Sequence, residues 1–437
     1  MEKLGALARL GIKYLWRYRR RYGFLLAALV FGFAIVTFIT STKDGMYRSV
    51  YYSAQSHYAG DLVAIGYVTG TGQRYLGETE ISTVLEAARS SGINPRHTVL
   101  RTTLSNISML HFNGNAIRLK YVMGCDWEDE AHLFDKIKFA EALDSFPGDD
   151  GIILSVPTAQ HLGAKMGDSV LLETDTRFGQ INTSPFIVRG IVEDASIFGY
   201  YKAYVSRRSL NRLVLYEDGD CASIGFFFDD TGSAETRRVR LQERLAAKLQ
   251  MGPLVYDRDE LDREADEDLG WEGIKVFLLT MPVYLSEISD LLDVMNIITY
   301  FLYGMMLVII FVSAAVTYRL ILHERTKEMG VMRAIGFYGG DLRLVLWTEV
   351  LTLGFVSLLA GAALAWLLSR AVSLLSFSWF PSFEIFMEKG RLTALYLPGT
   401  MLVNVVSIFL LLLAASFVPS LRASRKNLCG LLSGEPL

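Results

Sequence analysis

The chain has 437 residues, of which 51% are hydrophobic and 20% charged, and its mean hydropathy of +0.30 exceeds what a soluble domain of this length carries. A formal net charge of −3 leaves no basic stripe for neutralising phosphates, which excludes a nucleic-acid partner. Three scattered cysteines, Cys125, Cys221 and Cys429, fit neither a metal knuckle nor a disulfide framework.

Residues 1–21 carry Lys3, Arg9, Lys13, Arg17, Arg19, Arg20 and Arg21 beside Leu4, Leu7, Gly11, Leu15 and Tyr18 at helical spacing. This segment reads either as a basic amphipathic helix along the inner membrane face or as a charged flank that sets topology. The uncharged run that follows predicts a first transmembrane helix over 22–42, because about 20 apolar residues in helix cross a hydrocarbon core of about 30 Å. It is longer than a signal-peptide core of about 7–15 residues, and no A-x-A site follows it, so it reads as a retained anchor.

Residues 43–293 are long enough for one or two domains with real cores. Strand-like pieces, DLVAIGYV, AIRLKYVMG, GIILS, SVLLET, PFIVRGIVE and ASIGFFF, alternate with turn signals, and helical patterns intervene at Ile81–Ser91 and Ala234–Gln250. GIILSVPTAQHLGAKMGDSVLLET followed by PFIVRGIVE reads as strand, helix, tight turn and two strands, with Gly163, Gly167 and Asp168 at the turns. His161 and Asp168 read as a surface histidine and a turn aspartate. The acidic run Asp257–Asp268 reads as a solvated surface, since the glycine and terminal glutamate of an EF-hand are missing. Cys125 and Cys221 either pair, if this region lies in an oxidising compartment, or remain buried thiols.

Three further spans are predicted: 294–318, 344–369 with Glu349 near its beginning, and one within 392–421. Lys and Arg concentrate before the first span, in the loop 319–343 and in the tail 422–437, which predicts that both termini and that loop are cytoplasmic. Residues 43–293 and the short loop 370–391 then lie outside. The expected fold is an α-helical membrane protein with four transmembrane helices and a mixed α+β extracytoplasmic domain inserted between spans 1 and 2.

After the second span comes HERTKEMGVMRAIGFYGG, in which acids, bases and small residues crowd into one short amphipathic stretch bounded by glycines. A short helix of this kind is shaped to dock in a groove of a soluble partner. The stretch resembles the FtsX-like, MacB-type family of ABC transporter permeases, whose loop reads like ERTxEIGxxRAxG. Glu324, Arg325, Thr326, Glu328, Met329, Gly330, Arg333, Ala334 and Gly336 carry the match, with Met329 in place of the usual Ile. The resemblance implies that these nine residues form the coupling helix that binds an ATPase subunit, and Glu349 falls where a Glu commonly opens the third span. The external segment also looks like the family's MacB-like core domain. The tail keeps Pro419, Ala423 and its basic residues but lacks the family's second Pro.

No G-x-x-x-x-G-K-[ST] loop occurs in the sequence, and Lys165 in GAKMGDS has the wrong spacing for one. The chain is therefore expected to be a non-catalytic subunit that binds no cofactor or metal itself, with ATP and Mg used by a separate ATPase present in two copies. Four spans are few for a transport path, so a homodimer, or a heterodimer with a related permease, is expected. The resemblance implies a multi-pass protein of the bacterial inner membrane, in contact with membrane lipids and with a periplasmic carrier or adaptor. Its job would be mechanotransmission leading to lipoprotein release, as in the Lol-type permeases that share this layout. The alternatives are tripartite efflux, regulation of cell-wall hydrolases or, in a different class, a membrane-anchored sensor.

Overall fold

The computed structural model describes residues 19–69, 73–135, 137–140, 145–193, 201–265, 271–377, 381–388 and 390–425. The basic segment up to residue 18 and the tail beyond residue 425, with Cys429, lie outside the described residues.

Helix α1 (Arg19–Tyr58) contains the first span and runs well past it. The expected end at residue 42 was a change of hydropathy, and a helix propagates through charged residues once nucleated. Lys43 and Asp44 lie within it, and buried Asp44 accepts a hydrogen bond from Thr400 Oγ1 at 2.7 Å. The chain continues through β1 (Leu62–Val68), α2 (Glu78–Ser90), β2 (His97–Phe112), β3 (Asn115–Cys125) and α3 (Trp127–Phe134). Next come β4 (Gly151–Ser155), α4 (Val156–Leu162), β5 (Ser169–Asp175), β6 (Ile181–Val192), β7 (Lys202–Ser206) and α5 (Arg207–Val214). β8 (Ser223–Phe227), α6 (Ala234–Leu245), α7 (Arg258–Glu264) and β9 (Ile274–Thr280) complete the insertion. After the insertion come the long helix α8 (Ser289–Glu324), the short α9 (Thr326–Ala334) and the long helices α10 (Gly339–Leu374) and α11 (Pro398–Arg425). α1, α8, α10 and α11 are each long and apolar enough to cross a membrane.

The chain divides into two compact units. One holds residues 1–47, 292–376 and 392–437, and the other holds 48–291 and 377–391. The expected loop 370–391 is thus split: α10 takes its first residues as far as Leu374, and residues from Phe377 belong with the inserted domain.

In the helical unit, Leu25, Leu29 and Phe33 of α1 pack with Ile310 and Ala314 of α8, Leu346 and Leu353 of α10, and Leu412 of α11. Small residues permit close approach. A Cβ on Gly361 would stand 2.9 Å from the Val30 carbonyl oxygen, and one on Gly32 would stand 2.6 Å from Ile310. Asn404 Nδ2 donates to Thr40 Oγ1 at 2.8 Å, a buried polar tie between α11 and α1. The opposite face of α8 exposes Ile297, Phe301, Val308, Val312 and Val316, as a lipid-facing helix must.

The inserted unit is a mixed α+β domain on one nine-stranded sheet of order β3-β7-β4-β6-β5-β2-β8-β1-β9. β4–β6 and β3–β7 are parallel and the other pairs antiparallel. β2 joins the two halves of the sheet, pairing β8 through His97–Arg101 and β5 through Met109–His111, with a bulge between Ser105 and Ser108. Its hairpin to β3 turns at Asn113 (φ 49°) and Gly114 (φ 83°), the positive angles that a tight two-residue turn needs. Each half has its own core. One is built on Leu62, Val84, Phe226, Leu241 and Leu278 under α2 and α6, and the other on Leu119, Ile152, Phe186, Val205 and Leu210 under α4 and α5.

Candidate functional site: the short helix between two spans

α8 ends at Glu324 because Arg325 leaves helical geometry (φ −97°, ψ 9°), and α9 restarts at Thr326. α9 stops nine residues later. Gly336 adopts φ 100°, which an L side chain resists, and Phe337 N–H donates back to the Met332 carbonyl at 3.1 Å. Asp341 Oδ2 then accepts from Tyr338 N–H at 3.2 Å and opens α10.

Arg325 is the hinge of this arrangement and is only 1% exposed. Its Nη1 donates to Glu349 Oε2 at 2.7 Å and to Tyr22 Oη at 2.8 Å, and Tyr22 Oη donates onward to the same Glu349 oxygen at 2.7 Å. Glu349 is 0% exposed. A cation at the head of α9, a carboxylate in α10 and a phenol in α1 thus form one buried triangle. Arg325 Nε also reaches Glu328 Oε2, one turn on, at 3.3 Å. Charges at such depth persist when each satisfies another.

The nine residues expected to bind a partner do not form one surface. Arg325, Thr326, Met329 and Gly330 are buried, Glu328 and Arg333 half-buried, and Glu324, Ala334 and Gly336 exposed. In this conformation those four residues pack inside the helical unit. Thr326, Met329 and Gly330 recur at the i, i+3, i+4 spacing of an inward stripe, and Met329 and Met332 join the helical core. What α9 and its exit do present is apolar: Val331, Ile335 (71% exposed) and Tyr338 (77% exposed), flanked by exposed Lys327. None of these four was in the expected set.

Elsewhere the other singled-out residues are structural. His161 is exposed, with Nδ1 3.2 Å from Tyr201 Oη, and Asp168 Oδ2 accepts from Lys165 N–H at 2.7 Å to close a turn. Asp257 caps α7 by accepting from Glu260 N–H at 2.7 Å, so the acidic run begins as a solvated helix. Cys125 and Cys221 are both free and buried. Burial pushes the Cys221 thiol up to about 12. Among the described residues no group of three His, Cys, Asp or Glu is placed to hold a metal.

Residues 300–428 match the family model described as FtsX-like permease C-terminal. Among solved structures the chain is similar to the periplasmic region of MacB from Actinobacillus actinomycetemcomitans, at 12% identity and a TM-score of 0.28, over 52% of this chain and 91% of that one. It is also similar to a domain of a permease protein from Porphyromonas gingivalis, at 12% identity and a TM-score of 0.29, over 52% of this chain and 90% of that one. No curated protein matches it.

Proposed function

We propose, from the match of residues 300–428 to the FtsX-like permease C-terminal model, that this chain is the non-catalytic membrane subunit of an ABC transporter. On this reading a separate ATPase, present in two copies, binds and hydrolyses Mg-ATP beneath a permease dimer. The inserted domain works outside the bacterial inner membrane, and both termini are cytoplasmic. The substrates are lipoproteins or other amphiphiles released from the membrane.

What supports the reading is the build of α9. A nine-residue helix has little stability of its own, yet this one is tied by Arg325 to α1 and α10 and seated by Met329 and Met332. Its outer side offers Val331, Ile335 and Tyr338, residue types that fill a groove on a partner. Such an element receives a push and passes it to the helices that hold it, because packed elements move as units.

The experiment is co-purification and reconstitution with the ATPase. Val331→Asp with Ile335→Asp should leave the membrane protein folded and abolish both ATPase retention and ATP-dependent substrate release. Undiminished ATPase binding by that variant would sink the docking role of α9. Substrate binding that proceeds without any ATP-dependent turnover would favour a sensor.

A further inference from the structure

The geometry points to a binding pocket for a small anion, a phosphate or carboxylate group, inside the inserted domain, with Arg74 in its wall at the junction of β1, β2 and β8. This inference is independent of the permease reading.

The cavity holds about 180 Å³, room for roughly six waters at ~30 Å³ each and so for one acidic headgroup with a few attached atoms. Its wall includes three arginines, Arg74, Arg101 and Arg258, together with His57, and no carboxylate. Lys202, itself buried, adds an ammonium behind the wall, with Nζ 3.3 Å from His57 Nδ1. Positive charge this dense in a partly desolvated recess is costly unless something negative answers it.

Two of the arginines are answered from within. Arg101 is saturated: Nε meets both Glu130 oxygens at 2.9 and 3.0 Å, and Nη1 donates to the Ser56 and His57 carbonyls at 2.7 and 2.9 Å. It builds the wall and does not bind. Arg258 faces Asp262 at 3.2 Å on its solvent side. Arg74 differs, because no carboxylate among the described residues lies within ion-pair distance of it. Its guanidinium sits over the Tyr67 ring, 5.8 Å from the centroid, and its backbone is fixed by a bridge to Tyr67. A fork of donors on a backbone bridged to β1 suits bidentate recognition of a phosphate or carboxylate.

Beside apolar Val63, Ile65, Met123 and Ala222, the rest of the lining offers neutral donors and aromatic rings. Thr103, Ser105 and Ser223 contribute hydroxyls, which donate to an anion without requiring a second charge. Tyr58 and Tyr284 stack on each other at 3.9 Å between centroids and give the pocket a stiff apolar side. Polar donors converging on a small aromatic-walled cavity are the usual make-up of a ligand site.

The source of the anion is either a free small molecule or a lipid headgroup, and one experiment separates them. Full-length protein in detergent is titrated with inorganic phosphate and with acetate at constant ionic strength, glycerol serving as the uncharged comparator, and melting is followed. Wild type should show saturable stabilisation by at least one anion and none by glycerol. Arg74→Gln should weaken the apparent affinity at least about tenfold, and Arg74→Lys should recover part of it. In nanodiscs of phosphatidylglycerol, a phosphate titration shifted to higher concentration relative to phosphatidylcholine assigns a lipid headgroup, and an unshifted one assigns a free anion. Stabilisation equal in wild type and Arg74→Gln, or no saturable response to either anion, overturns the proposal. Arg74→Lys keeps the decision open to measurement if Arg74→Gln fails to fold, since a folded Lys variant with wild-type affinity also refutes bidentate recognition.

Discussion

Removing Glu349 is the sharpest perturbation of the helical unit. Its Oε2 accepts two bonds of 2.7 Å, from Arg325 Nη1 and Tyr22 Oη, so Glu349→Met strands a buried guanidinium and a buried phenol together. Stripping one partner from a buried ion pair costs about 3–5 kcal/mol, or roughly two to three and a half decades in the folding equilibrium at ~1.4 kcal/mol per decade. Glu328, 3.3 Å from Arg325 Nε but 35% exposed, compensates in part and places the expected loss toward the lower figure. Arg325→Met should cost a similar amount, because it leaves the carboxylate buried alone. Replacing both by Met removes the charges together and should cost far less than either single change. Unfolding by SDS titration in mixed micelles, read by tryptophan fluorescence with Trp347 close by in α10, supplies the four corners of the cycle. If the double variant loses the sum of the two single losses to within ~0.5 kcal/mol, the pair is not coupled and the triangle is not what holds α9.

Three further outcomes follow from the geometry. Gly336→Ala forces a side chain into φ 100° and should destabilise by about 1–2 kcal/mol, whereas Gly340→Ala, whose Cβ would meet nothing within 4 Å, should be neutral; equal melting temperatures for the two variants would refute a left-handed stop to α9. Gly225→Ala would set a Cβ 1.5 Å from the Ala59 carbonyl oxygen, so the inserted domain should become susceptible to limited proteolysis, and a wild-type digestion pattern would contradict this packing. With its thiol at about 12, Cys221 should resist iodoacetamide at pH 8, since only about one thiol in 10⁴ is ionised there; it should react after denaturation, and rapid labelling of the native protein would show that it is exposed.

The spans were legible in the sequence because a run of apolar residues has one physical meaning at that length, but their ends were not. Hydropathy reports depth in the bilayer, whereas α1 ends at Tyr58 and α8 starts at Ser289 for reasons of local geometry and packing. In the inserted domain the pieces with clear alternation or strong turns, β1, β3, β4, β5, β6 and β8, were visible. β7 and β9 were not: KAYVS is buried throughout and IKVFLLT nearly so, and a strand covered on both faces carries no period of two, which is as true of β1 and β4, marked instead by their flanking turns. β2 is different: Asn113-Gly114 is a strong hairpin signal, and it went unread because the preceding strand mixes polar and apolar residues through a bulge.

The candidate site shows why a motif is not a surface. Arg325 and Glu328 belong to the same charged run, yet the first is sealed against Tyr22 and Glu349 while the second stays at the rim. A run of sequence gives the order of residues along a helix, and only the partners of that helix decide which side is closed. Tyr22 carries no signal at all, being one aromatic at the start of an apolar run, and it is joined to the site by a hydrogen bond across 327 positions. The consequence is mechanical. If α9 were held only by its short connections, a load on Ile335 or Tyr338 would rotate it in place. Anchored through Arg325 to α10 and α1, it can turn only by breaking charge-assisted bonds in a buried setting or by moving those helices with it. On the permease reading the second course is the one that transmits work.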